Sequence, residues 1–258
     1  MTTRCQELVI LAAGRGERLM PHTAGRPKCL VEVAGRSILE RLVAGFAARG
    51  VARFVVVAGY QAGQVRMAAT RLARDLALEV EVVENASWST TNNVHSLWLA
   101  RERIASPFVL VDGDLVLARA VVDALLVPDR IAVSSVRAEG SHAEIGDQGR
   151  LVGVRPRRGD DPRLRKTVNA ASFGRESWDR GLRPAVEAMI EDGRSSEFYE
   201  VAIDAAVRRG AARLVALEVG HDAWIEVDDA SDLARAEARE LAATRPSSPR
   251  DEASAPQG

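Results

Sequence analysis

Hydrophobic and polar positions follow a repeating order along the first half of the chain. Glu7–Ala12 (ELVILA) is a short apolar run of the kind that fills a strand covered on both faces. Ser37-Ile-Leu-Glu40 is a capping box, and the helix it opens runs to about Arg49, where Gly50 supplies the stop. Arg53–Ala58 predicts a second strand, Gln61–Arg74 a second helix and Leu78–Glu84 a third strand. Asn93 is placed to cap a helix through about Arg103, and Phe108–Val111 predicts a fourth strand. This alternation predicts an α/β fold: a Rossmann-like, mostly parallel mixed sheet with helices on both faces and right-handed crossovers. Ligands of such sheets sit at the carboxyl ends of the strands.

The second half is less regular. Ile131–Val136 and Leu151–Val154 predict strands, and Arg155–Lys166 (RPRRGDDPRLRK) reads as a charged, mobile loop. Val168–Phe173 is a further strand, and Glu176–Glu191 and Glu197–Arg209 are helices. Leu214–Val219 and Ala223–Val227 are strands, and Ser231 is placed to cap a last helix to about Ala243. The expected organisation is one domain over residues 1–243, with a small acceptor-binding lobe in its second half. A disordered Pro-, Ser- and Ala-rich tail is expected over 244–258.

Composition narrows the class. At 258 residues and 47% hydrophobic, the chain has enough apolar surface for a substantial core. A net charge of −1 gives no global field for nucleic acid, and no run approaches the about 18 apolar residues of a membrane span. Two cysteines, Cys5 and Cys29, have neither disulfide-framework nor metal-ligand spacing. The expectation is a reduced, cytoplasmic enzyme, monomer or homodimer, without nucleic-acid or membrane partners.

Among 35 basic residues only Lys28 and Lys166 are lysines. An Arg-rich codon bias accounts for the average but not for these two exceptions. A compact ammonium differs from a planar guanidinium in reach and hydration, and phosphate chemistry often needs the former. Lys28 closes a segment that follows the first strand, Leu11-Ala-Ala-Gly-Arg-Gly-Glu-Arg-Leu-Met-Pro21, continued through Thr23 and Pro27. Gly14 and Gly16 let backbone amides cradle phosphate oxygens. Leu19 stands where the dinucleotide fingerprint requires glycine, and the P-loop spacing fails, which argues against a dehydrogenase.

Leu11-Ala-Ala-Gly-x-Gly-x-Arg18 followed by Pro27-Lys28 resembles the signature of the nucleotidyltransferases that make NDP-sugars and CDP-alcohols. The resemblance implies that Leu11, Ala12, Ala13, Gly14, Arg15 and Gly16 hold the nucleotide. It also implies that Arg18 and Lys28 neutralise charge as pyrophosphate leaves.

Asp112-Gly-Asp114 ends the fourth strand, where ligands belong. Magnesium takes one or two carboxylates plus phosphate oxygens. The family resemblance makes Asp114 the metal ligand and Asp112 a nucleotide-side group. Much later, Trp224-Ile-Glu-Val-Asp-Asp229 places Glu226 and Asp228 on one strand face, where like charges call for a cation between them. The expected Mg²⁺ ligands are therefore Asp114, Glu226 and Asp228.

Three segments resemble the phosphocholine and phosphonate cytidylyltransferase branch. They are Val57-Ala-Gly-Tyr60, Asn92-Asn-Val-His-Ser-Leu-Trp-Leu-Ala100, and Lys166-Thr-Val-Asn169 with Phe173. They imply Tyr60 and Asn92 for the nucleotide, and Asn93, Ser96, Lys166 and Asn169 for the acceptor, with Lys166 also catalytic. Asn92 and Asn93 can equally cap a helix, and Ser96 either donates to a phosphoryl oxygen or sits on a helix face. Glu197 or Glu200, with the few aromatic residues, would suit a cationic acceptor group. Ala170 and Ala171 stand where many members carry a further basic residue.

The implied reaction is transfer of CMP from CTP to a small phosphonate such as 2-aminoethylphosphonate. Phosphocholine and inositol 1-phosphate follow as acceptors, then a sugar 1-phosphate. A nucleotide-binding regulator without turnover is the remaining alternative.

Overall fold

The computed structural model describes residues 4–105, 107–136, 140–156 and 164–244. The expected tail, apart from Thr244, and residues 157–163 of the expected mobile loop lie outside the described residues.

In chain order the strands are β1 (Glu7–Ala12), β2 (Glu32–Val33), β3 (Arg36–Ser37), β4 (Arg53–Ala58), β5 (Glu79–Glu84), β6 (Phe108–Asp112) and β7 (Leu115–Leu117). They continue with β8 (Arg130–Ser134), β9 (Ser141–Ile145), β10 (Leu151–Pro156), β11 (Leu164–Phe173), β12 (Val215–Glu218) and β13 (Trp224–Glu226). The helices are α1 (Ile38–Ala47), α2 (Ala62–Leu76), α3 (Asn93–Ala100), α4 (Arg119–Leu125), α5 (Arg183–Glu191), α6 (Tyr199–Arg208) and α7 (Ala230–Thr244).

One mixed sheet has the order β12-β8-β11-β6-β1-β4-β5, with the β9–β10 pair attached along the start of β11. The β6-β1-β4-β5 half is parallel; β11 runs antiparallel to β6, β8 and β9. The sheet is therefore the expected Rossmann-like, mixed type. Side-chain alternation along β1 builds a core on each face. Leu8 and Ile10 pack with α1, α2, α4 and α7, and Val9 and Leu11 with α3, α5 and α6. The capping box at Ser37 forms as expected: Ser37 Oγ accepts from Glu40 N at 3.1 Å, and Glu40 Oε2 accepts from Ser37 N at 2.9 Å.

Several expectations are corrected. Asn92, not Asn93, caps α3, which ends at Ala100 rather than Arg103. Asp229, not Ser231, accepts the first amide hydrogens of α7, from Ser231 and Asp232. Both ends of the expected loop Arg155–Lys166 belong to strands, β10 and β11, because each finds a β9 partner that local patterning does not reveal. The β2–β3 hairpin, β7, α4 and β9 were not anticipated; all are short.

β7 matters most for function. It pairs antiparallel with β13 in a separate two-stranded ladder, Leu115 opposite Glu226. Val227 N donates to Asp114 O at 3.0 Å and extends that ladder. The two acidic segments, more than a hundred residues apart, thus meet at the carboxyl end of β6.

Candidate active site

The glycine loop leaves β1 and turns at Gly16, whose φ of 73° lies in the left-handed region. The buried Thr23 hydroxyl donates to Gly16 O at 2.8 Å and fixes that turn. A Cβ on Gly16 would fall 2.9 Å from the Lys28 side chain, so the loop packs directly on the lysine stem. Gly113 is needed for a similar reason. It donates its N–H to Leu11 O at 2.8 Å, and a Cβ there would lie 2.7 Å from Ala12 Cβ. The Asp112-Gly-Asp114 turn is thereby seated against the end of β1.

Lys28 Nζ donates to Asp114 Oδ2 at 2.7 Å and to Asp228 Oδ1 at 2.6 Å. Arg18 reaches Asp228 Oδ2 at 2.9 Å from a largely solvent-exposed position. Burial alone would lower the Lys28 pKa, but the two carboxylates outweigh it and raise the value, so the ammonium stays charged. Asp114, Glu226 and Asp228 each bring one carboxylate oxygen into a group lying within 4.8 Å of one another. Burial, with Asp114 next, pushes Glu226 up to about 7. Burial, Asp114 and Glu200 hold Asp112 well above the usual carboxylate range, and its buried Oδ1 has no hydrogen-bond partner. Asp114 Oδ1 is buried without a partner as well. Hard oxygen donors, crowded and incompletely satisfied, fit a divalent cation.

These groups open onto a cleft of about 580 Å³. Leu11, Ala13, Gly14 and Asp112, the expected nucleotide-side residues, are among those that line it. Lys166 is buried on β11. Its Nζ donates to Thr167 O at 3.1 Å and lies 3.8 Å from Glu226 Oε2. Asn169 Nδ2 donates to Glu226 Oε1 at 3.0 Å. Asn92, Asn93 and Ser96 line the same cleft while also holding the scaffold. Asn92 Oδ1 accepts from Asn93 N, and Asn93 Oδ1 accepts from Tyr199 N, each at 2.8 Å. Ser96 Oγ accepts from Asn85 Nδ2 at 3.2 Å.

Some expected residues stand apart. Ala12 is core, beneath Gly113. Arg15 lies over the Tyr60 ring at 5.5 Å, and Tyr60 meets Trp88 edge-on at 5.3 Å; Trp88 lines the cleft, and Arg15 and Tyr60 stand behind it. Glu197 is turned away and ion-paired to Arg194 at 2.7 Å; Glu200 lines the cleft instead. Glu200 is buried with Oε2 unpartnered, and burial raises its pKa. The α6 backbone decides between the two: Glu200 lies in its first turn facing inwards, whereas Glu197 precedes the helix. Asn85, Thr91, Ser141 and Phe198 also line the cleft and were not anticipated. Asn85 directly follows β5, a strand-end position that could have drawn attention.

Residues 8–206 match the MobA-like NTP transferase domain. The chain belongs to that family. The chain is 31% identical over 245 residues to the CMP-5'-(3-aminopropyl)phosphonate synthase of Streptomyces rubellomurinus, covering 90% of this chain and 38% of that protein. It is 26% identical over 234 residues to the bifunctional IPC transferase and DIPP synthase of Aquifex aeolicus, covering 88% of this chain and 50% of that protein. The chain therefore spans half or less of the length of these relatives. It shares its fold with the solved CTP:phosphocholine cytidylyltransferase of Streptococcus pneumoniae: TM-score 0.74, 19% identity, 91% of this chain and 98% of that one. Among the described residues no helix is long and apolar enough to cross a membrane.

Proposed function

We propose that this protein moves CMP from CTP to a small aminoalkylphosphonate such as 2-aminoethylphosphonate, releasing pyrophosphate. The observation that carries this reading is the Lys28 ammonium, held between Asp114 and Asp228 at the floor of a cleft that also contains Glu226. An acceptor phosphonate oxygen attacks the α-phosphorus; the new P–O bond forms as the bond to the pyrophosphate oxygen breaks. Because two anions must approach, positioning and charge neutralisation supply most of the catalysis. The backbone from Leu11 to Gly16 cradles the triphosphate. Lys28 and Arg18 stabilise the leaving side, and Lys166 draws the acceptor's anionic group. Asp114, Glu226 and Asp228 would hold Mg²⁺, which supplies further neutralisation of phosphate oxygens.

At the other end of the acceptor, the buried carboxylate of Glu200 suits an ammonium group. The phosphonate named in the streptomycete relative, and the resemblance of Lys166–Asn169 to the same branch, support an aminoalkylphosphonate.

Pyrophosphate release with CTP and Mg²⁺, measured over a panel of acceptors, tests the reading. Release is expected with 2-aminoethylphosphonate and 3-aminopropylphosphonate, above that with phosphocholine, inositol 1-phosphate or sugar 1-phosphates. If no acceptor yields pyrophosphate, the proposed turnover is wrong. If phosphocholine is preferred, the acceptor class is wrong.

A further inference from the structure

Asn169 has a backbone conformation its position in a strand does not explain. Its φ is 54°, in the left-handed region, within a ten-residue strand. The pairing register of β11 against β8 shifts between Thr167 and Ala171, around this residue. Asparagine tolerates the left-handed region better than most residues but still at a cost, and such strain concentrates at functional sites. The bulge re-aims one side chain. That side chain is the Asn169 amide, and it donates to Glu226 Oε1 at 3.0 Å. The acceptor there is a carboxylate, which sets the amide orientation with nitrogen towards Glu226.

The consequence falls on Glu226. With Oε1 held by Asn169, the second oxygen, Oε2, is directed towards Lys166 at 3.8 Å. Both constraints come from β11, a strand separate from the β7–β13 ladder that carries Glu226. The neighbouring Thr167 hydroxyl donates to Ser141 O at 3.0 Å and ties the bulge to β9. A carboxylate in such a cluster would otherwise rotate about its side-chain torsions, and a hydrogen-bonded partner beyond the ligand removes that freedom.

We infer that Asn169 is a positioning residue: the strained turn in β11 exists to point its amide at Glu226 and orient that carboxylate within the Asp114–Glu226–Asp228 cluster. The inference rests on the cluster being a divalent-cation site, as in the proposed function. It differs from the role that sequence resemblance implies for Asn169, a direct contact to the acceptor.

Mn²⁺ binding to the full chain, followed by loss of the free-ion electron paramagnetic resonance signal, separates these readings when thermal unfolding is measured alongside. Wild type is expected to bind Mn²⁺, and Asp228→Asn to lose it. Asn169→Gly keeps a residue at ease with the left-handed backbone and removes only the amide. It is expected to weaken Mn²⁺ binding by about 10- to 100-fold, with Tm kept or raised. Wild-type affinity in Asn169→Gly overturns the positioning role while leaving the cation site standing. If that variant instead raises only the acceptor KM, Asn169 is an acceptor contact. If wild type fails to bind Mn²⁺, or Asp228→Asn binds it normally, the cation site falls and this inference with it.

Discussion

The Lys28 ammonium donates to the Asp228 carboxylate at 2.6 Å although the two residues are 200 positions apart in the chain. It serves Asp114 in the same way, so one cation separates two anions at the cleft floor. Lys28→Ala is expected to lower turnover by at least about 100-fold, the scale for losing a preorganised charge-stabilising donor. Lys28→Arg is expected not to restore it, because the planar fork is a poor substitute for a compact ammonium in so enclosed a position. With the ammonium gone, Asp114 and Asp228 repel, and added Mg²⁺ is expected to raise the Tm of Lys28→Ala more than that of wild type. Steady-state pyrophosphate assays and thermal unfolding with and without Mg²⁺ check both outcomes.

Gly16 combines a left-handed φ with contact to the Lys28 stem. Gly16→Ala therefore strains the backbone by about 1–2 kcal/mol and pushes the lysine from its carboxylates. The expected result is a modest fall in stability with a larger fall in kcat, read from denaturant unfolding and initial rates. Normal kcat in a stably folded Gly16→Ala would show that Lys28 placement does not depend on this packing.

In the proposed reaction Glu200 meets the cationic end of the acceptor, because it lines the cleft with a buried Oε2 that has no partner. A hydrogen bond to a charged group is worth about 1.5–3 kcal/mol, so Glu200→Gln is expected to raise the aminoalkylphosphonate KM by roughly ten- to a hundredfold. The KM for CTP should not move, and neutralising a buried carboxylate whose Oε2 has no partner should leave stability level or higher. Equal changes in both KM values would remove Glu200 from the acceptor end of the cleft.

Cys5 and Cys29 are buried, and burial pushes each thiol up to about 12. Both are expected to resist thiol reagents in the native protein at neutral pH and to react together on unfolding. The sign for stability follows from the raised value. The folded state retains the protons longer than the unfolded state, so this contribution is intact below the ordinary value of 9.0 and lost as pH rises towards 12. Denaturant midpoints measured from pH 7 to 11 should fall across that upper range. Reagent-accessible thiols in the folded protein would contradict the burial.

Most strands of the sheet were legible because short apolar runs and helical caps are local signals. β1 and β4 have the boundaries expected from their apolar runs, and the Ser37 capping box forms. The glycine loop, Lys28 and the three carboxylates were also legible, since unusual residue types cluster there. What stayed hidden was short or long-range. β7 is three residues long, and only its β13 partner gives it a reason to be extended. Glu197 and Glu200 were equal as sequence; the first turn of α6 turns Glu200 inwards and leaves Glu197 to Arg194.

Residue type and local spacing were enough to read an α/β sheet, a glycine loop after its first strand and the identity of the acidic groups, because each depends on neighbours within a few turns of chain. Which groups touch was a matter of three-dimensional pairing. The β7–β13 ladder brings Asp114 beside Glu226, Lys28 is clamped between Asp114 and Asp228, and the Asn169 amide, at the bulge in β11, donates to Glu226. Those contacts join segments tens to hundreds of residues apart, and no local periodicity encodes the register that creates them.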